Sequence, residues 1–177
     1  DVLRHDCVGP GLYELDLSAP QIAPVAAPGQ FVHVHVGPVQ PDCPAQPLLR
    51  RPLSISGIDN NVGGSITLLY KARGAGTQLL AHVRPGDRLD IIGPLGKGFT
   101  LPEPQPQPQS QPQWQPQAQP TARSPHALLV GGGLGIAPLV FLARALARNG
   151  HRVTVFFGAN TACEMQSARL RLQASGT

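Results

Sequence analysis

The stretch ALLVGGGLGIAP, at positions 127–138, decides the fold class of this chain. An apolar run of four residues meets three consecutive glycines, Gly135 follows, and Pro138 opens an apolar helical pattern. The order predicts a strand, a glycine turn and a helix N-terminus. This arrangement accommodates a dinucleotide pyrophosphate, because glycine lets the backbone approach the phosphates closely. The pattern is G-x-G-x-x-P rather than G-x-G-x-x-G, and a glycine-rich turn without a ligand is the alternative interpretation.

The residues around this stretch alternate between strand and helix patterns. We predict strands at 127–130 and 153–157 and helices at 138–149 and 162–173. A β-α-β-α order is the opening half of a parallel doubly wound sheet. Two strands make a poor independent domain, and the last helical pattern has no stop signal before Thr177. We therefore expect residues 126–177 to be the N-terminal part of an NAD-binding domain.

The first hundred residues have short alternating runs punctuated by Gly and Pro. These runs predict strands at 12–17, 31–36, 53–57, 65–71 and 88–92. A short helix is predicted at 77–82. Short strands at this spacing favour a small antiparallel barrel over residues 1–100. The predicted fold class is thus a β barrel followed by a partial α/β domain.

Residues 101–125 separate these two regions and have a different composition. Gln occupies every odd position from 105 to 119, with Pro at many even positions. Such a segment offers little apolar surface to bury, so we expect a disordered or polyproline-II-like linker or insert.

Composition excludes several classes of protein. The net charge is +4, but only 14% of the 177 residues are charged, and no basic run interleaved with aromatics indicates nucleic-acid binding. The three cysteines are far apart and odd in number, which argues against a disulfide framework. His33 and His35 share a strand face without an evident third ligand, so no metal site is predicted. Without an apolar run of 18 residues or a signal peptide, we expect a cytoplasmic protein that does not contact membranes.

Two further segments carry candidate binding residues. In RRPLS at 50–54, Arg51 can offer a guanidinium fork to a phosphate, and Ser54 can place a hydroxyl near a ring nitrogen. In YKARGAGT at 70–77, Gly76 and Thr77 lie at a predicted helix start, where free backbone N–H groups would face a pyrophosphate. A surface strand and an ordinary threonine N-cap are the alternatives.

In this order, the motifs resemble those of the ferredoxin–NADP reductase superfamily, in which an FAD-binding barrel precedes a nicotinamide-dinucleotide domain. Within it, the chain is most similar to the electron-transfer subunits of NAD-linked (type B) dihydroorotate dehydrogenases. The resemblance covers nearly the whole chain outside the Gln/Pro segment. It is carried by PGQFVHV (28–34), RRPLSIS (50–56), YKARGAGT (70–77), GPLGKGF (93–99) and GGGLGIAPL (131–139).

The resemblance implies a role for each matched residue. FAD would be held by Arg51 near the pyrophosphate and by Ser54, the candidate catalytic residue, near the flavin. The other implied FAD contacts are Pro52, Leu53, Leu69, Tyr70, Lys71, Gly76 and Thr77. NAD would be held by Gly131, Gly132, Gly133 and Gly135.

The implied function is oxidoreductase electron transport. Electrons from dihydroorotate oxidation would reach NAD⁺ in pyrimidine biosynthesis, through FAD, a [2Fe–2S] cluster and an FMN-containing catalytic partner subunit. The four cluster cysteines of the family are absent here, so we expect that this chain binds no [2Fe–2S] cluster. Whether the chain is active by itself stays open. Two alternatives stay open: another ferredoxin- or sulfide-linked reductase subunit, and a non-catalytic flavin-binding or docking module. NAD and NADP are not distinguished.

Overall fold

The structure is a computed structural model that describes residues 1–36, 49–61, 63–102, 126–162 and 165. Within these residues the chain forms eight strands and two α-helices. The strands are β1 Val2–Gly9, β2 Leu12–Ser18, β3 Phe31–Val34, β4 Arg51–Asp59, β5 Ser65–Lys71, β6 Ile91–Leu95, β7 His126–Gly132 and β8 Arg152–Gly158. The helices are α1 Ala75–Leu80 and α2 Ile136–Arg148.

The first six strands form one antiparallel sheet in the order β1-β2-β5-β4-β3-β6. Its two edges approach each other, because Val2 N–H donates to the Asp87 carbonyl and Gly86 N–H donates to the Val2 carbonyl, at 2.8 and 2.9 Å. Asp87 lies shortly before β6, so the sheet curls on itself. The antiparallel architecture predicted for this region is confirmed, and we call this sheet the barrel.

Period-2 alternation predicted most barrel strands. The strand at 65–71 is confirmed, and β2, β3 and β4 are confirmed with shifted ends. The strand predicted at 88–92 is wrong at its start, since β6 begins at Ile91 and continues through Pro94. Proline is tolerated there because β6 is the last strand of the sheet. Strand β1 was not predicted, because exposed charged residues interrupt its apolar pattern.

The barrel encloses an apolar core. Its fully buried side chains include Leu15, Val32, Ile55, Ile66 and Leu68. Phe141 of α2 also belongs to this cluster and is only 5% exposed. The helix that follows the glycine stretch is therefore packed into the barrel core.

Strands β7 and β8 pair in parallel and are connected by α2, as predicted. We call this part the βαβ unit. Helix α2 begins at Ile136, two residues before the predicted start at Pro138. Proline fits inside the first turn because it lacks an N–H, and first-turn N–H groups make no hydrogen bond within the helix. The sheet face that carries Leu128, Val130 and Phe156 is exposed. Most of the helix predicted at 162–173 and nearly all of the Gln/Pro segment lie outside the described residues.

Candidate functional site

Arg51 lies against the first turn of α1. A Cβ atom added to Gly76 would stand 2.7 Å from Arg51 Nε and 3.0 Å from Nη2, so a larger residue there would displace this guanidinium. Arg51 Nη1 also donates to the Leu49 carbonyl at 2.9 Å. The backbone N–H groups in the first turn of a helix have no partner within the helix. The structure thus brings two predicted site residues, Arg51 and Gly76, into one cluster of N–H donors.

Thr77 shapes the turn beside this cluster. Its hydroxyl accepts hydrogen bonds from the N–H groups of Arg73 and Gly74, at 3.0 and 3.2 Å, and donates to the Gly74 carbonyl. Because Thr77 bonds back over Gly74, the helix begins at Ala75, and the predicted start at Thr77 is wrong by two residues. The Thr77 hydroxyl thereby holds the loop that places Gly76 against Arg51.

Arg50 has a different environment from its neighbour. Its Nη1 donates to the Asp90 carbonyl at 3.0 Å, and its Nη2 forms an ion pair with the Asp90 carboxylate. These contacts tie Arg50 to the residue that precedes β6. The two adjacent arginines therefore serve separate purposes, and Arg51 is the one that contacts α1.

Residues 52–54 alternate between the two faces of the barrel. Leu53 is buried in the core opposite Val32, whereas Ser54 is partly exposed opposite Phe31. Pro52 is exposed and lies two residues before Ser54, so both occupy the outer face. Ser54 is therefore accessible to a ligand on the outside of the barrel, and Leu53 is accessible only through its backbone.

The three predicted site residues at the end of β5 point in different directions. Tyr70 is 1% exposed; its hydroxyl bonds His5 Nε2 at 2.8 Å, and burial raises its pKa. Leu69 is buried against α2, and Lys71 is partly exposed. Cofactor contacts of these residues stay predictions, and any contact of Tyr70 falls to its backbone. Sequence reasoning missed His5, since a lone histidine in a polar strand carries no pattern.

The glycines of the 131–135 loop fall into two groups. Gly131 is closely packed, because a Cβ there would stand 2.6 Å from Leu139 Cδ1 and would force that side chain to shift, and Gly133 has a φ of +53°. Gly132 and Gly135 have ordinary dihedral angles. A Cβ on Gly132 would have its nearest neighbour at 3.7 Å, and one on Gly135 would meet nothing within 4 Å. Packing among the described residues does not explain glycine at these two positions, whereas close approach of a ligand would.

Across residues 1–36, 49–61, 63–102 and 126–162, no three His, Cys, Asp or Glu side chains come together as a candidate metal site. None of the helices in this part of the chain is long and apolar enough to cross a membrane.

The cysteines of this chain do not fit an iron–sulfur cluster. The sequence contains Cys7, Cys43 and Cys163, whereas such clusters are normally held by four cysteine thiolates. Cys7 is exposed on β1. The other two lie outside the described residues. These 177 residues do not supply the ligand set.

Comparison with known proteins shows which curated proteins the chain is similar to. The electron transfer subunit of dihydroorotate dehydrogenase B (NAD⁺) from Geobacillus sp. (strain WCH70) is 43% identical over 160 residues, which are 90% of this chain and 53% of that protein. The subunit with the same name from Desulforamulus reducens is 40% identical over 158 residues, covering 89% of this chain and 51% of that protein. The chain is a homologue of these electron transfer subunits. It spans about half the length of the curated relatives it matches.

Solved structures agree on the fold. An NADH-dependent reduced ferredoxin–NADP oxidoreductase has a TM-score of 0.70 at 25% identity, over 92% of this chain and 49% of that one. The FAD/NAD-binding domain of a nitric oxide dioxygenase from Vibrio cholerae has a TM-score of 0.67 at 19% identity, over 99% of this chain and 69% of that one. At this identity the similarity is one of fold alone. No family model matches the chain. The fold is that of FAD/NAD-binding ferredoxin reductases.

Proposed function

We propose that this chain binds FAD and NAD(H) and transfers electrons between NAD(H) and a catalytic partner subunit. In the fullest form of the proposal, the electrons come from dihydroorotate oxidation in pyrimidine biosynthesis and reduce NAD⁺. The proposal is supported by identities of 40–43% to electron transfer subunits over about 90% of the chain. The observation that carries the assignment of the site is the Arg51 guanidinium against Gly76.

The residues present fit FAD. Arg51 and the first-turn N–H groups of α1 form a cluster of donors, which suits the two phosphates of a dinucleotide. Ser54 would bond the flavin from the outer face of the barrel, where its hydroxyl is accessible. When bound, FAD supplies an acceptor for a hydride and a donor of single electrons. The chain's own residues bind and orient it.

The residues of the glycine loop fit the pyrophosphate of NAD(H). Gly132 and Gly135 leave space that no part of the described protein fills, and α2 begins directly after the loop. The helix therefore presents the positive end of its dipole to a bound phosphate, whereas Pro138 has no N–H and the Ile136 N–H already donates to the Gly133 carbonyl. The sequence does not distinguish NAD from NADP, because β8 ends at Gly158 without an acidic residue.

The partner in this proposal is the FMN-containing catalytic subunit of a type B dihydroorotate dehydrogenase. The names of the relatives support a partner, since each is an electron transfer subunit. A ferredoxin-linked reductase subunit is the second candidate, favoured by the similarity to the ferredoxin–NADP oxidoreductase. Its identity is 25%, against 40–43% for the dihydroorotate dehydrogenase subunits, which favours the first candidate.

Co-purification with each candidate partner tests the proposal. The chain, saturated with FAD, is mixed with a type B dihydroorotate dehydrogenase catalytic subunit and, in parallel, with a ferredoxin. We expect a flavin-containing complex with the dihydroorotate dehydrogenase subunit on size exclusion and no complex with ferredoxin. A complex with ferredoxin alone would favour the second candidate. Absence of bound flavin in every sample would contradict the proposal and leave a non-catalytic docking module as the remaining alternative.

A further inference from the structure

Helix α2 contacts the barrel through an apolar and a charged region. The apolar region is a cluster of Leu12, Leu69, Ile136, Ala137 and Val140. One helical turn beyond Val140, Arg144 lies over Gly57 of β4. A Cβ atom on Gly57 would stand 2.9 Å from Arg144 Nη1. The guanidinium therefore occupies space that the missing side chain at position 57 leaves open.

The barrel surface beneath Arg144 is held in a defined shape. The register of β4 on β5 shifts between Ile55 and Gly57, which places a bulge at Ser56. The buried Ser56 hydroxyl donates to the Thr67 carbonyl at 3.0 Å. The Thr67 hydroxyl in turn donates to Asp16 Oδ1 at 2.7 Å. Bulges bend strands and redirect side chains, and these two hydrogen bonds fix this one.

Acidic groups of the barrel face the same region. Arg4 Nε donates to Asp16 Oδ2 at 2.8 Å, and Arg4 also pairs with Asp6 and Glu14. Burial lowers the pKa of Arg144, and Arg148 lowers it further, whereas Asp16 raises it. A polar pocket of about 120 Å³ lies between these groups, large enough for several water molecules. It is lined by Arg4, Glu14, Ser56, Thr67, Leu69, Val140 and Arg144.

We propose that Arg144 is a positioning residue that fixes the orientation of α2 on the barrel by seating its guanidinium over Gly57, at the polar pocket that Glu14 and Thr67 also line. The apolar cluster lies at the N-terminal half of α2 and Arg144 in its C-terminal half, so the two contacts define the direction of the helix. The 131–135 loop leads directly into α2, so this direction also sets the place of the loop relative to Arg51 and Ser54. This consequence rests on the proposed function.

Pulsed electron paramagnetic resonance tests the orientation without any cofactor. Spin labels are placed on Cys7 of the barrel and on Arg152→Cys of the βαβ unit, both exposed positions, with Cys43 and Cys163 replaced by serine. We expect one narrow distance distribution in the parent protein and a broader or shifted one in Arg144→Ala. Gly57→Ala should give the same change from the barrel side, because its Cβ displaces the guanidinium.

Two variants separate positioning from general loss of structure. Arg144→Lys keeps the charge and should retain most of the parent distribution. Arg148→Ala removes an exposed charge one turn further along the same side of the helix and should not alter the distribution, because it leaves the Arg144 guanidinium over Gly57. Identical distributions in the parent, Arg144→Ala and Gly57→Ala would overturn the proposal. If Arg144→Ala does not fold, the distance distribution of Gly57→Ala tests the proposal by itself, and a distribution identical to that of the parent would overturn it.

Flavin reduction provides a second readout. In the FAD-loaded protein, Arg144→Ala should retain flavin but be reduced by NADH roughly ten- to a hundredfold more slowly, as expected for a displacement of about 1 Å. An unchanged rate in a variant with an altered distance distribution would overturn the link between orientation and transfer. A changed distance distribution with no reduction of the parent by NADH would support the positioning role and contradict the proposed function.

Discussion

At the scale of single residues, the environment of Tyr70 decides its role. His5 Nδ1 lies 2.9 Å from the Val83 carbonyl, which can only accept, so this nitrogen carries the proton. His5 Nε2 therefore accepts from the Tyr70 hydroxyl at 2.8 Å. The Tyr70 ring also stacks on Tyr13, with centroids 5.5 Å apart. These contacts indicate that the Tyr70 side chain stabilises the barrel core.

We predict that Tyr70→Phe lowers the free energy of unfolding by about 0.5–1.5 kcal/mol at neutral pH through the lost hydrogen bond. Burial raises the pKa of Tyr70 above the ordinary value of about 10. Above that pH the unfolded chain loses this proton before the folded protein does, so the stability of the parent falls as pH rises. Tyr70→Phe removes this contribution. Denaturant titrations at pH 9–12 should show a shallower fall for the variant, and equal slopes would contradict the assignment.

At the scale of elements, the glycines of the 131–135 loop differ in whether packing or ligand binding accounts for them. Gly131→Ala brings a Cβ within 2.6 Å of Leu139 Cδ1, so overpacking should lower the free energy of unfolding by about 1 kcal/mol or more. In Gly135→Ala the added Cβ meets no atom of the described residues within 4 Å, and the position has helical dihedral angles, so the stability of this variant should equal or exceed that of the parent.

The Gly135→Ala variant also tests the dinucleotide site. We predict that Gly135→Ala weakens binding of ADP-ribose, which carries the pyrophosphate, at least several-fold while its melting temperature is maintained. Calorimetric titration with ADP-ribose and thermal unfolding measure the two effects separately. Unchanged ADP-ribose affinity in Gly135→Ala would show that the glycine is not reserved for the ligand.

The sequence predicted the elements whose pattern is local. Strand β5 and the β7–α2 junction follow directly from alternation at 65–71 and from the glycine stretch. Strand β1 could not be predicted in this way, because its pairing with β2 rather than its own pattern makes it a strand. Likewise, contact of Arg51 with Gly76 depends on how β4 pairs with β5, which no local spacing contains. The seat of Arg144 over Gly57 is also a product of tertiary packing.

At the scale of the whole molecule, the barrel and the βαβ unit share packing. Phe141 lies in the barrel core and Leu69 lies in the cluster under α2, so each part contributes a side chain to the other.

We predict that deleting residues 103–118 leaves FAD binding and the flavin absorbance spectrum unchanged. The segment offers almost no apolar surface to bury, and the candidate flavin residues all lie between positions 51 and 77. Spectra of the parent and the deletion variant, each saturated with FAD, are compared after gel filtration. Loss of flavin from the deletion variant alone would show that the segment packs on the barrel.

An FAD titration of three proteins tests most directly whether Arg51, placed against Gly76, binds the phosphates of FAD. Arg51→Ala should lose about 1.5–3 kcal/mol of binding free energy, or roughly ten- to 150-fold in affinity, because a charge-assisted hydrogen bond is removed. Arg50→Ala is the matched control, since its guanidinium is tied to Asp90. We expect Arg50→Ala to bind FAD with the affinity of the parent and Arg51→Ala to bind it more weakly. Equal affinities of the parent and Arg51→Ala would contradict this expectation.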